Sequence, residues 1–229
     1  MKLLVSVRSV AEARLAAGAG VDFIDLKEPG QGALGGLPFD TIGAIVAALR
    51  GRAGQAAISA TIGDVPMDDA TRIARAVDAV GACGVDYVKV GIERASAARA
   101  VLDLLAASRW PVVPVFIADH GLAAHDVAHA CALGFPALMA DTQRKSGATL
   151  FDMLPMADLR RFVDMARASG TPVGLAGALR AADAPQLQAL APDFAGFRSA
   201  VCAGDRASAL DPQRLAALMR TMAQPSQAT

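Results

Sequence analysis

Four lysines stand out in a chain that otherwise relies on arginine for positive charge. The 229-residue sequence holds 22 lysines and arginines, of which only Lys2, Lys27, Lys89 and Lys145 are lysines. A guanidinium stays protonated at working pH, whereas an amine can lose its proton and attack a carbonyl carbon. These lysines are therefore candidates for chemistry that arginine cannot perform.

The stretch VDFIDLKEPGQGALGG places Lys27 two residues after Asp25, at the end of an apolar run. Residues i and i+2 of a strand point to the same face, so the two side chains would share one environment. Crowding by Lys89 and exclusion of water would favour the unprotonated, nucleophilic amine. The glycine-rich loop 28–36 that follows is longer than a minimal connection. It either covers the site as a lid or lies on the surface.

Eight short apolar runs alternate with alanine-rich stretches of helical period along the chain. Their lack of polar alternation indicates strands that are buried on both faces. Eight strand–helix units in about 225 residues predict a single (β/α)8 barrel over residues 1–223, with a disordered tail at 224–229. Ser9 and Glu12 predict a capping box at the first helix. The predicted strands are 3–7, 22–27, 56–62, 86–91, 111–118, 136–141, 172–177 and 193–200.

In such a barrel, chemistry takes place at the carboxyl ends of the strands. Lys27, Lys89 and Lys145 all fall at or after strand ends, whereas Lys2 opens the first strand at the opposite end. A single lysine at a strand end often only reaches solvent or pairs with a carboxylate. Three at one face favour a shared catalytic role. The same end carries further polar residues: Asp25, Asp64, Asp119, His120, Asp141 and Arg198.

A phosphate site is indicated after strands seven and eight, where barrels often bind that group. GLAGAL contains Gly174 and Gly177, and FRSAVCAGDR contains Arg198 and Ser199. Glycines let backbone N–H groups approach an anion closely, and the start of a short helix directs its positive end at the anion. Simple tight turns would account for the glycines as well.

Composition and charge argue against several classes of protein. The formal net charge is zero, without a basic block, which argues against nucleic acid or an anionic membrane as partner. No apolar run is long enough for a membrane span. Three scattered cysteines and the pair His125 and His129 lack a metal-site pattern, so no metal is expected. We expect a cytoplasmic protein with a small-molecule substrate; apolar helix faces leave a homo-oligomer open.

Segments from the first strand to the eighth carry a family resemblance: LLVSV, DFIDLKEPGQGALG, ISATIGDVP, DYVKVG, LMADTQRKSGATLFD, GLAGAL and FRSAVC. Together they resemble the (5-formylfuran-3-yl)methyl phosphate synthase family, also called 4-(hydroxymethyl)-2-furancarboxaldehyde-phosphate synthase. The Ala- and Arg-rich composition indicates a bacterial member. The resemblance implies a (β/α)8 lyase that condenses two molecules of glyceraldehyde 3-phosphate into a furan aldehyde phosphate. One phosphate and two waters are lost, and the product serves methanofuran-type cofactors.

The resemblance also implies roles for individual residues. Lys27 matches the lysine that forms a Schiff base, Lys89 and Lys145 match further active-site lysines, and Asp141 matches the site aspartate. Asp25 matches the first motif, and its role stays open. No metal or organic cofactor is implied. The loop ADHGLAAHD after strand five differs most from the family, so it leaves Asp119 and His120 without assigned roles.

Two rival interpretations fit the same residues. Another sugar-phosphate barrel enzyme, either a class I aldolase or a decarboxylase with a D-x-K pair, suits the Asp25–Lys27 spacing equally well. In the decarboxylase the lysine only transfers a proton and never bonds to the substrate. A barrel that binds a phosphate ligand without catalysis is the non-enzymatic alternative.

Overall fold

Eight parallel strands close into a barrel in the computed structural model, which describes residues 1–32, 34–51, 56–143 and 147–224. Each strand pairs with the next in sequence, and the eighth returns to pair with the first. The predicted (β/α)8 barrel is therefore confirmed. The strands are β1 (Lys2–Val7), β2 (Phe23–Leu26), β3 (Ala57–Thr61), β4 (Tyr87–Ile92), β5 (Val112–Ile117), β6 (Leu138–Asp141), β7 (Val173–Leu175) and β8 (Phe194–Phe197).

Helices surround this barrel, and in the described part of the chain none is long and apolar enough to cross a membrane. One-turn α6 was not predicted; it forms because Thr149 N donates to the Asp152 carboxylate at 2.8 Å. The predicted tail includes residues 225–229, outside the described residues, and stays a prediction. The helices are α1 (Val10–Ala19), α2 (Phe39–Leu49), α3 (Ala70–Ala82), α4 (Ala98–Ala106), α5 (Ala124–Ala132), α6 (Leu150–Met153), α7 (Met156–Ala168), α8 (Ala184–Leu190) and α9 (Pro212–Ala223).

Helix α3 illustrates how the outer layer forms. The Asp69 carboxylate accepts a hydrogen bond from Arg72 N at 2.9 Å and so caps the helix. Ile73, Val77 and Val80 recur at three- or four-residue spacing and are all buried in the core. Each such side chain contributes about 1.5–3 kcal/mol when it leaves water. The main core therefore lies between the strands and the helices.

The inside of the barrel differs from that core because polar side chains occupy its middle level. Ser6, Asp25 and Ser59 are register partners on β1, β2 and β3, and all three are buried. Nearer the amino ends of the strands, the rings of Phe23 and Phe194 pack with centroids 5.4 Å apart. Apolar side chains such as these line the amino end of the barrel, where a cavity of about 280 Å³ remains, and polar side chains occupy the level above them.

The glycine-rich loop 28–36 covers part of the polar end. Leu34 is 2% exposed and packs into the inner apolar cluster. Gly91 on β4 leaves room for it, since a Cβ at Gly91 would lie 2.8 Å from Leu34 Cδ1. Thr61 Oγ1 donates to Gly35 O at 3.0 Å and fastens the loop to β3. The described part of the loop is therefore packed on the β3–β5 side of the mouth, and its closure over a substrate stays a prediction.

The barrel interior predicts unequal responses to two glycine substitutions. Gly174→Ala should lower the free energy of unfolding by about 1–3 kcal/mol, because the new Cβ would lie 2.1 Å from the Phe194 ring. Gly18→Ala in α1 has no heavy atom within 4 Å of the new Cβ and should raise stability by about 0.5–1 kcal/mol. Urea unfolding of both variants measures the difference; equal stability of Gly174→Ala and the parent chain would contradict the packing.

Candidate active site

A cavity of about 270 Å³ opens at the carboxyl ends of the strands, on the side that loop 28–36 leaves uncovered. Most of the residues predicted for a site meet there, so the barrel brings distant parts of the sequence to one place. Lys145 lies outside the described residues. The predicted site residues that line the cavity are Asp25, Lys27, Lys89, Asp141, Gly177, Arg198 and Ser199.

A buried ion pair forms the floor of the cavity. Lys89 Nζ lies 3.1 Å from Asp25 Oδ1, and the two side chains are 2% and 0% exposed. Ser59 Oγ donates to Asp25 Oδ1 at 2.7 Å, and Ser6 Oγ donates to Oδ2 at 3.2 Å. Within the described residues, Lys89 Nζ has no partner besides Asp25. The carboxylate is thus fully satisfied, whereas the ammonium keeps unused donors inside the barrel.

The pKa of Asp25 reflects these neighbours. Burial raises the pKa of this carboxyl, but the positive charges of Lys89 and Lys27 and the hydrogen bond from Ser59 outweigh burial. The net result is a pKa below the ordinary value, so Asp25 is ionised at neutral pH. An ionised Asp25 keeps a counter-charge beside both amines.

Lys27 forms its ion pair with Asp141 and not with Asp25, its neighbour in sequence. Its Nζ lies 3.5 Å from Asp141 Oδ2 at the end of β6, and both side chains are under 10% exposed. Asp141 Oδ1 accepts from the N–H of Thr142 at 2.7 Å, which fixes the carboxylate. Oδ2 accepts no hydrogen bond from the described residues. Lys27 and Asp141 therefore face each other as an amine and a carboxylate oxygen that are both open to a ligand.

The turn after β7 supplies backbone to the opposite wall. Gly177 has a φ of 116° and Ala178 a φ of 48°, so both adopt left-handed conformations. A Cβ at Gly177 would lie 2.9 Å from Thr142 Oγ1, which restricts this position to glycine. Ser199 opens a short 3-10 turn on the neighbouring loop, and the three residues line the cavity. Their backbone borders the space where an anion was predicted to bind.

Gly174 and Arg198 take places that differ from the rest of the predicted phosphate site. Gly174 lies within β7 against the ring of Phe194 and is not one of the residues that line the cavity. Arg198 lines the cavity, but its Nη1 and Nη2 donate to Glu12 at 2.6 and 3.2 Å. Its Nε donates to Arg206 O at 2.9 Å. The guanidinium of Arg198 therefore holds the surrounding loops.

Glu12 takes part in this network instead of closing the predicted capping box. Ser9 Oγ accepts from Glu12 N at 3.3 Å, as expected of the cap. The Glu12 carboxylate, however, accepts from the N–H of Arg8 at 3.0 Å and not from Ser9. The pull of the buried Arg198 guanidinium outweighs a second capping bond, because a buried charge needs a counter-charge.

Sequence reasoning missed Ser6, Ser59 and Arg206. The two serines could have been found by aligning the strands in register, since both lie level with Asp25. Arg206 lines the cavity from the loop after β8 and gave no periodic signal. Burial lowers the pKa of Arg206, while the nearby Asp141 carboxylate opposes that effect.

The remaining polar candidates lie apart from the cavity. Asp119 Oδ2 accepts from Gln143 N at 2.5 Å, and His120 O accepts from Arg94. His129 pairs with Asp103 at 2.7 Å on the outer surface. Among the described residues, no three histidine, cysteine or acidic side chains are grouped as metal ligands.

Comparison with known proteins identifies the family of this chain. The family model described as 4-HFC-P synthase matches residues 3–219. The chain belongs to the 4-HFC-P synthase family. It is therefore an enzyme of that type, and the predicted resemblance is confirmed.

Relatives in this family match almost the entire chain. The (5-formylfuran-3-yl)methyl phosphate synthase of Archaeoglobus fulgidus is 35% identical over 236 residues, covering 97% of this chain and 99% of its own. A Methylorubrum extorquens protein that carries the same name provisionally is 41% identical over 222 residues, or 96% of this chain and 91% of its own.

Solved structures share the fold at low identity. The 3-hexulose-6-phosphate synthase of Salmonella typhimurium superposes with a TM-score of 0.67 at 18% identity, covering 97% of this chain and all of that one. Phosphoribosyl anthranilate isomerase of Thermus thermophilus gives a TM-score of 0.68, also at 18% identity, with 97% and 98% covered. These matches concern the barrel alone.

The buried pair predicts a large, pH-dependent effect of Asp25→Asn. At neutral pH this variant should lose about 3–5 kcal/mol of unfolding free energy, because it leaves the Lys89 charge uncompensated. A lowered folded-state pKa stabilises the fold above the unfolded value of about 3.9 and loses that contribution as pH falls through the folded value. The difference from the parent chain should therefore shrink below about pH 4.

Chemical denaturation between pH 3 and 8 would measure this effect, with Asp164→Asn as a matched control. Asp164 forms an exposed pair with Arg167, and its side chain is 53% exposed. Removing it should change stability by less than about 1 kcal/mol. A difference for Asp25→Asn that stayed constant across the acid range would contradict an ionised, ion-paired Asp25.

Proposed function

We propose that this enzyme condenses two molecules of glyceraldehyde 3-phosphate into (5-formylfuran-3-yl)methyl phosphate, with release of one phosphate and two waters. The family and the names of the relatives support this activity. The observation that carries the mechanism is the buried pair of Lys27 and Asp141 inside the cavity. The product would serve the synthesis of methanofuran-type cofactors.

Lys27 is the proposed nucleophile. Its amine attacks the aldehyde carbon of one triose phosphate, and loss of water gives a Schiff base. The protonated imine draws electrons from the adjacent carbon, so the proton on that carbon becomes acidic. Its removal allows the phosphate on the next carbon to leave by β-elimination. The enclosed position of Lys27 supports this role, since it limits competition from bulk water.

Asp141 is the proposed proton carrier. Oδ2 faces Lys27 and is free of hydrogen bonds from the described residues, whereas Oδ1 is held by Thr142 N. A carboxylate fixed in this way can accept the proton from the carbon next to the imine and return it at a later dehydration. Lys145, which the resemblance also assigns to the site, stays part of the proposal from sequence alone.

The Asp25–Lys89 pair would place a hydrogen-bond donor group below the reacting carbon. The unused donors of Lys89 can stabilise an oxyanion as the carbonyl reacts, and Asp25 holds the Lys89 amine in place at 3.1 Å. The phosphate that remains in the product would lie against the backbone of Gly177 and Ser199. The Arg198 side chain supports that wall by holding the loop after β8.

Lys27→Arg should lower turnover at least about 10³-fold, because a guanidinium keeps the charge but cannot form the imine. Formation of the furan aldehyde from glyceraldehyde 3-phosphate, followed by its absorbance and by mass spectrometry, measures this loss. Lys2→Arg is the matched control. Lys2 lies at the opposite end of the barrel, next to Phe23, and its replacement should leave turnover unchanged.

Borohydride trapping separates the proposal from its rivals. The parent enzyme should give a reduced adduct with its mass on the peptide that contains Lys27. Furan formation without any trapped adduct would favour a D-x-K type of proton transfer. An adduct without furan formation would point to a class I aldolase.

Asp141→Asn tests the proton carrier separately from the nucleophile. Turnover should fall by about 10²–10⁴-fold, since the amide cannot accept a proton. The Lys27 adduct should still be trapped by borohydride, because the amine is retained. Turnover within threefold of the parent enzyme would remove Asp141 from the mechanism.

The cytoplasmic location and the oligomeric state stay predictions.

A further inference from the structure

Arg206 lies in the loop between β8 and α9, and hydrogen bonds within this loop fold it into a turn. Asp205 Oδ1 accepts from Ala207 N and from Ser208 N and Oγ at 2.9–3.0 Å. These bonds lower the pKa of Asp205, with the Ser208 hydroxyl contributing most. The loop is therefore a compact turn that presents Arg206 in one position.

The backbone of this turn is also held from inside the barrel. Arg198 Nε donates to Arg206 O at 2.9 Å, and Arg198 Nη2 donates to Ser208 O at 2.8 Å. Arg198 is anchored in turn by Glu12 on α1, and Glu12 Oε1 also accepts from Leu210 N at 3.3 Å. Arg198 and Glu12 thus fix the place from which the Arg206 side chain extends.

That side chain crosses the cavity mouth with part of its guanidinium unused. Arg206 Nη2 donates to Gly32 O in loop 28–36 at 3.2 Å, which links the loops after β2 and β8. Its Nε is shielded from solvent and has no hydrogen-bond partner among the described residues. A buried donor without a partner is costly, and an anion would satisfy it.

The charges around Arg206 suit an anionic ligand. Lys27, Lys89 and Arg206 line the cavity, and the carboxylates of Asp25 and Asp141 offset two of these charges. Asp205 also lines the cavity, but its Oδ1 is engaged by Ala207 and Ser208, and Arg206 forms no side-chain ion pair among the described residues. Arginine often binds phosphate through two parallel N–H donors, and the free Nε of Arg206 supplies one such donor.

We propose that Arg206 binds the phosphate of a triose phosphate substrate and, through Gly32, couples that binding to the position of loop 28–36. The substrate class rests on the proposed function. Gly177 and Ser199 line the same cavity as Arg206. A reaction that joins two phosphorylated trioses has two phosphates to bind, and Arg206 binds one of them.

Glycerol 3-phosphate is the appropriate probe, because it carries the phosphate but has no carbonyl to react with Lys27. Calorimetric titration should show binding about tenfold to a hundredfold weaker in Arg206→Met than in the parent enzyme. Arg206→Lys should bind with intermediate strength, because it keeps the charge and loses the paired donors. Arg109→Met, at a 72% exposed side chain beyond α4, removes the same charge and should not change binding.

A second measurement separates phosphate binding from a purely structural role. Borohydride trapping on Lys27 with glyceraldehyde 3-phosphate should fall in Arg206→Met, whereas trapping with unphosphorylated glyceraldehyde should match the parent enzyme. An equal fall with both aldehydes, or unchanged titration by glycerol 3-phosphate, would overturn the inference. If Arg206→Met does not fold, the same comparison in Arg206→Lys decides. Arg206-dependent titration in an enzyme that forms no furan would support this inference and refute the proposed function.

Discussion

An ion pair sealed inside the barrel is the constraint on which the rest of the site depends. Taking Asp25 and Lys89 out of water costs more than their mutual attraction returns, unless further hydrogen bonds satisfy the carboxylate. Ser6 and Ser59 supply those bonds at 3.2 and 2.7 Å. The barrel thereby gives up apolar packing at its middle level. What it gains is a fixed ammonium beneath the cavity, which solvent does not screen.

That buried charge explains the arrangement above it. With Asp25 engaged by Lys89, the adjacent Lys27 finds its carboxylate on β6, across the barrel. The Lys27 amine is thereby held beside Asp141 at the wall of the cavity. The network of Glu12 and Arg198 then holds the loops that close the cavity. Each outer contact preserves a geometry that the inner pair imposes.

The sequence was sufficient to predict the eight-stranded barrel because the strand and helix patterns recur along the chain. Eight apolar runs with intervening helical periods could hardly be placed in any other closed sheet, and the strand ends located Lys27, Lys89 and Asp141 at one mouth. Boundaries were less certain: β8 ends at Phe197, three residues before the predicted end, because the chain enters a 3-10 turn at Ser199. At the end of β8 the turn geometry competes with strand pairing, and the apolar pattern of the sequence does not indicate where that turn begins.

Pairing between side chains was the part that the sequence could not supply. Asp25 and Lys27 were predicted to share one environment, and each forms its ion pair with a residue of a different strand. The stagger of a closed barrel brings residues from different strands to one level, and this level depends on register. Register would have revealed Ser6 and Ser59 beside Asp25. It would not have revealed Arg206, because its position follows from a loop that is itself held by Arg198. Residues on strands are therefore recoverable from pattern, whereas those on loops depend on contacts that only the folded chain makes.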